Sequence, residues 1–400
     1  MGTDSEGDIA GGCRGSGTDH FSGLPDHLLH SILLRLPGTA DAARTSVLAR
    51  RWHDVWAQLP ELSLSTAQGH AAVDATLAAH SAPTVRRLEI KTPPQHNSSW
   101  WRRADIPTDR VSSWLDFASL HLAGELRLDI PYCTKATDEA LIQTMMQFRL
   151  PPAGVFSALA TLGVANVCVD GQELEDVLCS RCPWLKQLVL YWITLRDGAH
   201  VPSIRSDSLE RLEITASQFQ VCLQIATPEL QTFYTLSVSD FHIAAPKFSE
   251  VNCKTSTGYD PSRHHFTESG HHLQRLVIAV NYGGLQLMQR FDNVKELELD
   301  VHITQDDYPC KSWSGCPCSR LENRTTNNIV LDSLEEAEIR DYGAAADKVE
   351  LVRLFTKLSA RCEKRVSITV LEWAWRKDMH EKIRSICPPN DKVEIVVRSA

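Results

Sequence analysis

A short motif recurs along this chain: an apolar residue, two spacers, an apolar residue, one spacer, an apolar residue. It stands at Val85-Leu88-Ile90, Leu159-Leu162-Val164, Leu185-Leu188-Leu190, Leu209-Leu212-Ile214, Leu273-Leu276-Ile278 and Val294-Leu297-Leu299. Weaker forms lie at Leu126-Leu128, Leu230-Phe233 and Leu334-Ile339. The second half of the motif alternates in and out, as a short strand with one buried face must. Between motifs the chain supplies return segments. In Gly171–Cys182, Leu174, Val177 and Leu178 fall at helical spacing and Pro183 follows as a stop. A strand with its return cannot bury its apolar face alone, so such units must stack on one another.

The spacing supports that stack. From 159 through 185 and 209 to 230 the motif starts step by 26, 24 and 21 residues, and from 273 to 294 by 21. These steps lie in the leucine-rich-repeat range of roughly 20–29 residues. The expected fold is therefore α/β: an irregular leucine-rich-repeat solenoid with a curved, mainly parallel sheet and helical returns. Ala244–His272 holds no clear motif, which predicts an insertion or a degraded repeat there. From about Ser333 the pattern predicts strands at Ser333–Arg340, Val366–Leu371 and Val393–Val397. Helices are expected near Ala345–Ala360 and in the stretch reaching Ile386.

The first stretch with a hydrophobic pattern, Phe21–Leu62, reads differently. Leu24, Leu28 and Ile32 recur at helical spacing, and Leu29, Leu33 and Leu36 widen the stripe. Pro25 suits a first helical position and Pro37-Gly38 a stop. A second helical pattern runs from Thr39 to Leu48, and a third carries Arg50, Arg51, Trp52, Val55 and Trp56 up to Leu59-Pro60. Helices this short are marginal alone, and three of them make a core too small to be self-sufficient. Such a module wants a partner surface.

The residues Leu24-Pro25-Asp26, Ile32-Leu33, Leu36-Pro37, Asp41–Leu48 and Arg50-Arg51-Trp52 stand in the order of an F-box. The chain resembles plant F-box proteins that carry leucine-rich repeats and an FBD-type C-terminal region. His27 and His53 depart from that pattern, where an acidic and a basic residue are commoner. The resemblance implies an F-box over 21–62, repeats over 63–332 and an FBD-like region over 333–400 that continues the solenoid. It further implies the substrate-receptor subunit of an SCF-type (cullin–RING) ubiquitin ligase, acting in the nucleus or cytoplasm. Its expected adaptor-binding residues are Leu24, Pro25, Leu28, Ile32, Leu33, Leu36, Val47, Leu48 and Trp52. They would lie in or behind the interface with a SKP-family adaptor, and through it with cullin and RING subunits. The repeats would hold a protein substrate, and no residue of the chain would carry the transfer chemistry. The alternative is a leucine-rich-repeat scaffold or ligand receptor not engaged with a ligase.

Composition changes this picture little. The chain has 400 residues, 43% of them hydrophobic, and a formal net charge of -9. That acidic balance argues against a general nucleic-acid binder. Residues 1–20 are rich in Gly, Ser and Asp and read as a disordered leader without an apolar signal region. No apolar run is long enough to span a bilayer, and the sequons at Asn97 and Asn323 read as chance. The 12 cysteines are scattered, unlike a secreted disulfide scaffold. Phosphate-binding loops, metalloprotease helices and nucleophile elbows are not found.

Two clusters could bind metal: His264-His265 with His271-His272, and Cys310, Cys316 and Cys318. Zinc usually takes four ligands in paired short spacings, which neither cluster supplies. The histidines read better as a solvated loop and the cysteines as ordinary side chains, Cys179 and Cys182 included; no cofactor is expected. Trp100-Trp101 beside Arg102-Arg103 has interface-like composition, though burial against the first repeat accounts for it more simply. Gly283-Gly284 reads as a turn.

Overall fold

The structure is a computed structural model. It describes residues 23–92, 106–129, 146–147, 155–195, 201–216, 222–236, 238, 240–253, 262–267, 273–279, 287–288, 290–291, 293–301, 331, 333–341, 365–371 and 393–398. The leader at 1–20, Trp100-Trp101, His271-His272, Gly283-Gly284, the sequons, the Cys310–Cys318 cluster and the two C-terminal helical stretches lie outside those residues.

Three short helices come first: α1 Asp26–Leu33, α2 Thr39–Arg44 and α3 Arg50–Trp56, with a 3-10 turn at Thr45–Val47 before the third. Then follow β1 Glu61–Ser65, α4 His70–Ala79, β2 Val85–Lys91, α5 Thr108–His121 and β3 Leu122–Asp129. Next are β4 Met146–Gln147, β5 Thr161–Ala165, β6 Val167–Val169 and α6 Gly171–Asp176, which runs into a π-helical turn at Val177–Arg181. The strands after it are β7 Gln187–Leu195, β8 Ser203–Arg205, β9 Arg211–Ala216, β10 Cys222–Ala226 and β11 Thr232–Leu236. They continue with β12 Asp240–Ala244, β13 Glu250–Cys253, β14 His264–Thr267 and β15 Arg275–Ala279. The last are β16 Glu296–Val301, β17 Glu336–Asp341, β18 Arg365–Leu371 and β19 Val393–Arg398.

One long parallel sheet runs β1-β2-β3-β5-β7-β9-β11-β13-β15-β16-β17-β18-β19. Its register is the repeat made visible. Leu88 pairs with Leu126, Leu126 with Leu162, Leu162 with Leu188, Leu188 with Leu212, and Leu212 with Phe233. Each lies in the core, at 0–1% exposure. Because side chains alternate along a strand, a slip of one residue would turn a strand's whole apolar set outward. The ladder also begins before each strand: Lys186 N–H bonds Ala160 O at 2.8 Å, Glu210 N–H bonds Lys186 O at 2.8 Å, and Gln231 N–H bonds Glu210 O at 2.8 Å.

The stretch Ala244–His272 holds a degraded repeat, one of the two alternatives expected there. β13 sits there in the long sheet, with Val251 between Phe233 and Leu276. Val251 and Cys253 are buried, but Phe248, Val251 and Cys253 are not leucines and the motif passes unnoticed. His264-His265 is no solvated loop either. It begins β14, with His264 buried and stacked on Phe241, ring centroids 4.5 Å apart.

Expectation also fails on the return side. Helices α4, α5 and α6 serve the early repeats, but β8, β10, β12 and β14 form a second parallel sheet. An extended residue advances about 3.3 Å against 1.5 Å in a helix. In the close-set repeats from Leu188 to Leu276, a short strand therefore crosses the molecule where a helix of the same span would need twice the residues. Ile204, Leu223, Ile225, Phe241, Ile243 and Phe266 point from this second sheet into the common core. An edge-to-face pair binds the sheets together, Phe233 to Phe241 at 5.5 Å, and a second packs Phe241 on Phe266 within the second sheet at 5.3 Å.

Gly124 stands where a side chain would not fit. Its φ is +149°, and a Cβ there would run into the Arg86 carbonyl where β3 enters the sheet. No helix among the described residues is long and apolar enough to cross a membrane.

Candidate functional site

The N-terminal helices close the first edge of the long sheet. Among the described residues strand β1 pairs only with β2, and an open edge N–H needs a partner. The buried Thr39 hydroxyl accepts the Ser63 N–H at 2.9 Å. Ser81 N–H bonds Ala57 O at 2.8 Å, and the His80 ring bonds Leu59 O at 3.0 Å. Leu29, Leu33, Ala42, Trp52, Val55 and Trp56 are buried and continuous with the repeat core.

Local detail differs from the sequence pattern. Pro25 occupies the N-cap of α1, not its first turn, and its carbonyl accepts Leu28 N–H at 3.0 Å and Leu29 N–H at 3.2 Å. Helix α1 ends at Leu33, so Leu34–Leu36 form a turn ahead of Pro37-Gly38. Arg51 donates to the Asp26 carboxylate and to the Leu24 carbonyl, pinning the start of α3 to the start of α1. A role for Arg51 in holding the helices together was not visible from its place in a motif.

The nine expected adaptor-binding residues divide by exposure. Leu28, Ile32, Val47 and Leu48 are 42%, 39%, 86% and 68% exposed, and Pro25 is also exposed. Leu24 and Leu36 are half-buried, packed against the core. Leu33 and Trp52 are buried within the chain and hold the outer residues from behind. Leu34, at 37%, joins the exposed set without having been expected there. Five of the eleven large apolar residues exposed among the described residues thus lie between 28 and 48.

The open face of the long sheet is mostly charged. Glu298, 5% exposed, is held between Arg275 at 2.9 Å and Arg340 at 2.8 Å. Glu89 takes a hydrogen bond from Ser63 and lies 3.3 Å from Lys91. Burial pulls its carboxyl upward, but Ser63 and Lys91 outweigh that and hold it below its usual value. In the middle of this face Tyr191 donates to Glu213 at 2.7 Å, and burial, aided by that carboxylate, pushes its hydroxyl up to about 12.

The outer face of the second sheet carries a shallow groove of about 830 Å³ lined by Cys179, Arg205, Gln224 and His242 among others. Cys179 donates to Arg205 O at 3.3 Å. Cys182 is buried and its thiol pushed up to about 12 by that burial, which suits a core residue better than a nucleophile. Among the described residues no three His, Cys, Asp or Glu side chains gather as a metal would require.

No family model matches the chain. It is similar to an F-box/LRR-repeat protein of Arabidopsis thaliana, 27% identical over 230 residues, 54% of this chain and 47% of that protein. A second F-box/LRR-repeat protein of the same plant is 25% identical over 340 residues, 80% of this chain and 67% of the relative. An F-box/FBD/LRR-repeat protein from that plant is 28% identical over 209 residues, 49% of this chain and 46% of the relative. The chain thus spans about half to two thirds of the length of the curated relatives it matches. The resemblance read from the motifs and the similarity found along the chain point to the same kind of protein.

Proposed function

We propose that this chain is the substrate-receptor subunit of an SCF-type ubiquitin ligase. Residues 21–62 would act as its F-box, 63–332 as the leucine-rich-repeat domain and 333–400 as an FBD-like continuation of the repeats. The observation that carries the reading is the outward apolar set Leu28, Ile32, Leu34, Val47 and Leu48 on helices whose other face is already sealed against the repeats. Exposed apolar side chains gathered in this way mark an interaction site. The names of the relatives, each an F-box/LRR-repeat protein, support reading these helices as the F-box.

In this reading Pro25, Leu28, Ile32, Val47 and Leu48 contact a SKP-family adaptor, with Leu24 and Leu36 at the margin. Leu33 and Trp52 keep the helices in place beneath them. Between Phe21 and Leu62 stand four basic and four acidic residues, which suits an apolar interface with a charged rim. The adaptor would link the chain to cullin and RING subunits in the nucleus or cytoplasm, and the repeats would present a protein substrate to the conjugating enzyme. Catalysis then comes from proximity, and the chain itself is not an enzyme.

The test is binding of the full chain to a purified SKP-family adaptor, beside a Val47→Ser/Leu48→Ser variant. Binding by the wild type and its loss in a variant with unchanged circular dichroism supports the reading. A folded wild-type chain that binds no member of a panel of adaptors would transfer the case to a repeat scaffold working outside a ligase.

A further inference from the structure

Two consecutive repeats turn a corner at a left-handed residue. Asn166, φ 60°, separates β5 from β6, and Trp192, φ 52°, sits inside β7 at its change of register. Ala165 pairs with Tyr191, so the corners stack one above the other. Asn166 N–H bonds Tyr191 O at 2.9 Å and locks them together. Asparagine suits this backbone region, whereas a bulky side chain there is an outlier that costs free energy. Packing does not demand the tryptophan, because Trp192 is 51% exposed. Strain of this kind persists where a side chain is useful at that spot.

The neighbours say what for. Along the same row of the open face, Asp129 pairs with Ala165 and Ala165 with Tyr191. A small residue therefore lies between a carboxylate and an exposed ring, with strands about 4.8 Å apart on either side. Asp129 accepts a hydrogen bond from the Asn166 side-chain amide at 3.1 Å. Lys91 is the register partner of Asp129 on the adjoining strand, but its ammonium turns to Glu89 at 3.3 Å, and no ion pair to Asp129 stands among the described residues. Glu213, with Arg211 beside it, holds the Tyr191 hydroxyl and leaves the ring exposed.

We propose that the open face seats a lysine or arginine side chain of its protein partner over Ala165, between the Asp129 carboxylate and the exposed Tyr191 ring, with the exposed Trp192 at the adjoining corner as a second aromatic contact. The proposal deepens the reading above, in which the repeats hold a protein. Ring faces attract cations, and Trp and Tyr anchor many interfaces. An anionic group would meet Asp129, Glu89 and Glu213. A purely apolar one would cover the Asp129 carboxylate without pairing it, which is costly. Burial, and then Glu89, lift the Asp129 carboxyl against the bond from Asn166, as expected for an acid short of a cation.

The experiment selects random peptides displayed on phage with the full chain, and measures affinities of the enriched peptides as synthetic molecules. Enriched peptides are expected to share a lysine or arginine, and its replacement by norleucine should weaken binding about tenfold or more. Asp129→Asn and Trp192→Asn should each bring a comparable loss. Trp192→Asn also guards against misfolding, since it relieves the corner and should raise the melting temperature while binding falls. Peptides without a common basic position, equal binding by Trp192→Asn, or no enrichment at all would overturn the inference. Adaptor binding is measured on the same samples: if it fails while basic peptides are still selected, the ligase reading falls and this one stands.

Discussion

In the repeat stack Leu88, Leu126, Leu162, Leu188 and Leu212 are sealed at 0–1% exposure, each beside the same position of its neighbour. In the N-terminal helices Ile32, Leu28, Leu48 and Val47 are exposed by 39% to 86%. Both regions are rich in aliphatic residues, yet they use them for opposite ends. The stack repeats one buried position until each unit becomes its neighbour's core. The helices bury Leu29, Leu33, Trp52 and Trp56 to fasten themselves to that stack, and leave the rest exposed. Under the proposed function an apolar side chain serves stability in one region and recognition in the other, and substitutions should separate the two.

The largest effect on stability is expected in the stack. Phe241 is 2% exposed and touches Phe233, Phe266 and His264 where the second sheet meets the first. Phe241→Ala should cost about 3–5 kcal/mol, read from urea unfolding, with adaptor affinity of the remaining folded chain unchanged. A loss below 1 kcal/mol would mean that the second sheet is not part of the cooperative core.

The helices should answer in the opposite way. Val47→Ala with Leu48→Ala removes side chains that touch little of the chain, so stability should move by no more than about 0.5 kcal/mol. Adaptor binding should weaken by about 2 kcal/mol or more if these residues anchor the interface. Calorimetric titration and thermal unfolding of one preparation give both numbers. Equal losses in the two would erase the distinction between the regions.

Trp192 is an exception inside the stack, an apolar residue turned outward at a strained corner. Trp192→Asn should stabilise the chain by about 1 kcal/mol, the order of the cost of a left-handed L-residue. A destabilised variant would show that the indole is held by packing and that the corner is not strained by it.

What could be read from the sequence follows the same division. The motif at Leu88, Leu162, Leu188, Leu212, Leu276 and Leu297 was legible because one buried position per repeat imposes a spacing that survives irregular loops. The second sheet was not. Its strands are three to five residues long, and the alternation in Cys222–Ala226 or Asp240–Ala244 is too brief to stand out from a loop. The repeat at Val251 escaped because phenylalanine and cysteine fill leucine places. At the N-terminus the helical spacing gave the stripe, but a stripe does not tell which of its residues meet the chain's own core. Leu29 and Leu33 face inward and Leu28 and Ile32 outward because α1 packs on α3, and α2 in turn on β1. Trp192 gave no signal, since a left-handed backbone angle is a property of the corner.

The smallest expected effect lies at the seam between the two regions. His80 is half-buried, bonded to Leu59 O at 3.0 Å, and packed near Phe117 and His121. Burial lowers its pKa, the Leu59 bond opposes this and His121 adds to it, leaving it below the ordinary 6.5. As pH falls through about 6.5 the unfolded chain takes this proton before the folded one does, so stability present above that pH is lost below it. His80→Gln can keep a donor to Leu59 and has no proton to take. Melting temperatures at pH 7.5 and 5.5 should therefore fall further for the wild type than for the variant. The difference is measured against every other group that titrates in the same interval, which both proteins share. If both fall equally, the seam does not titrate with folding.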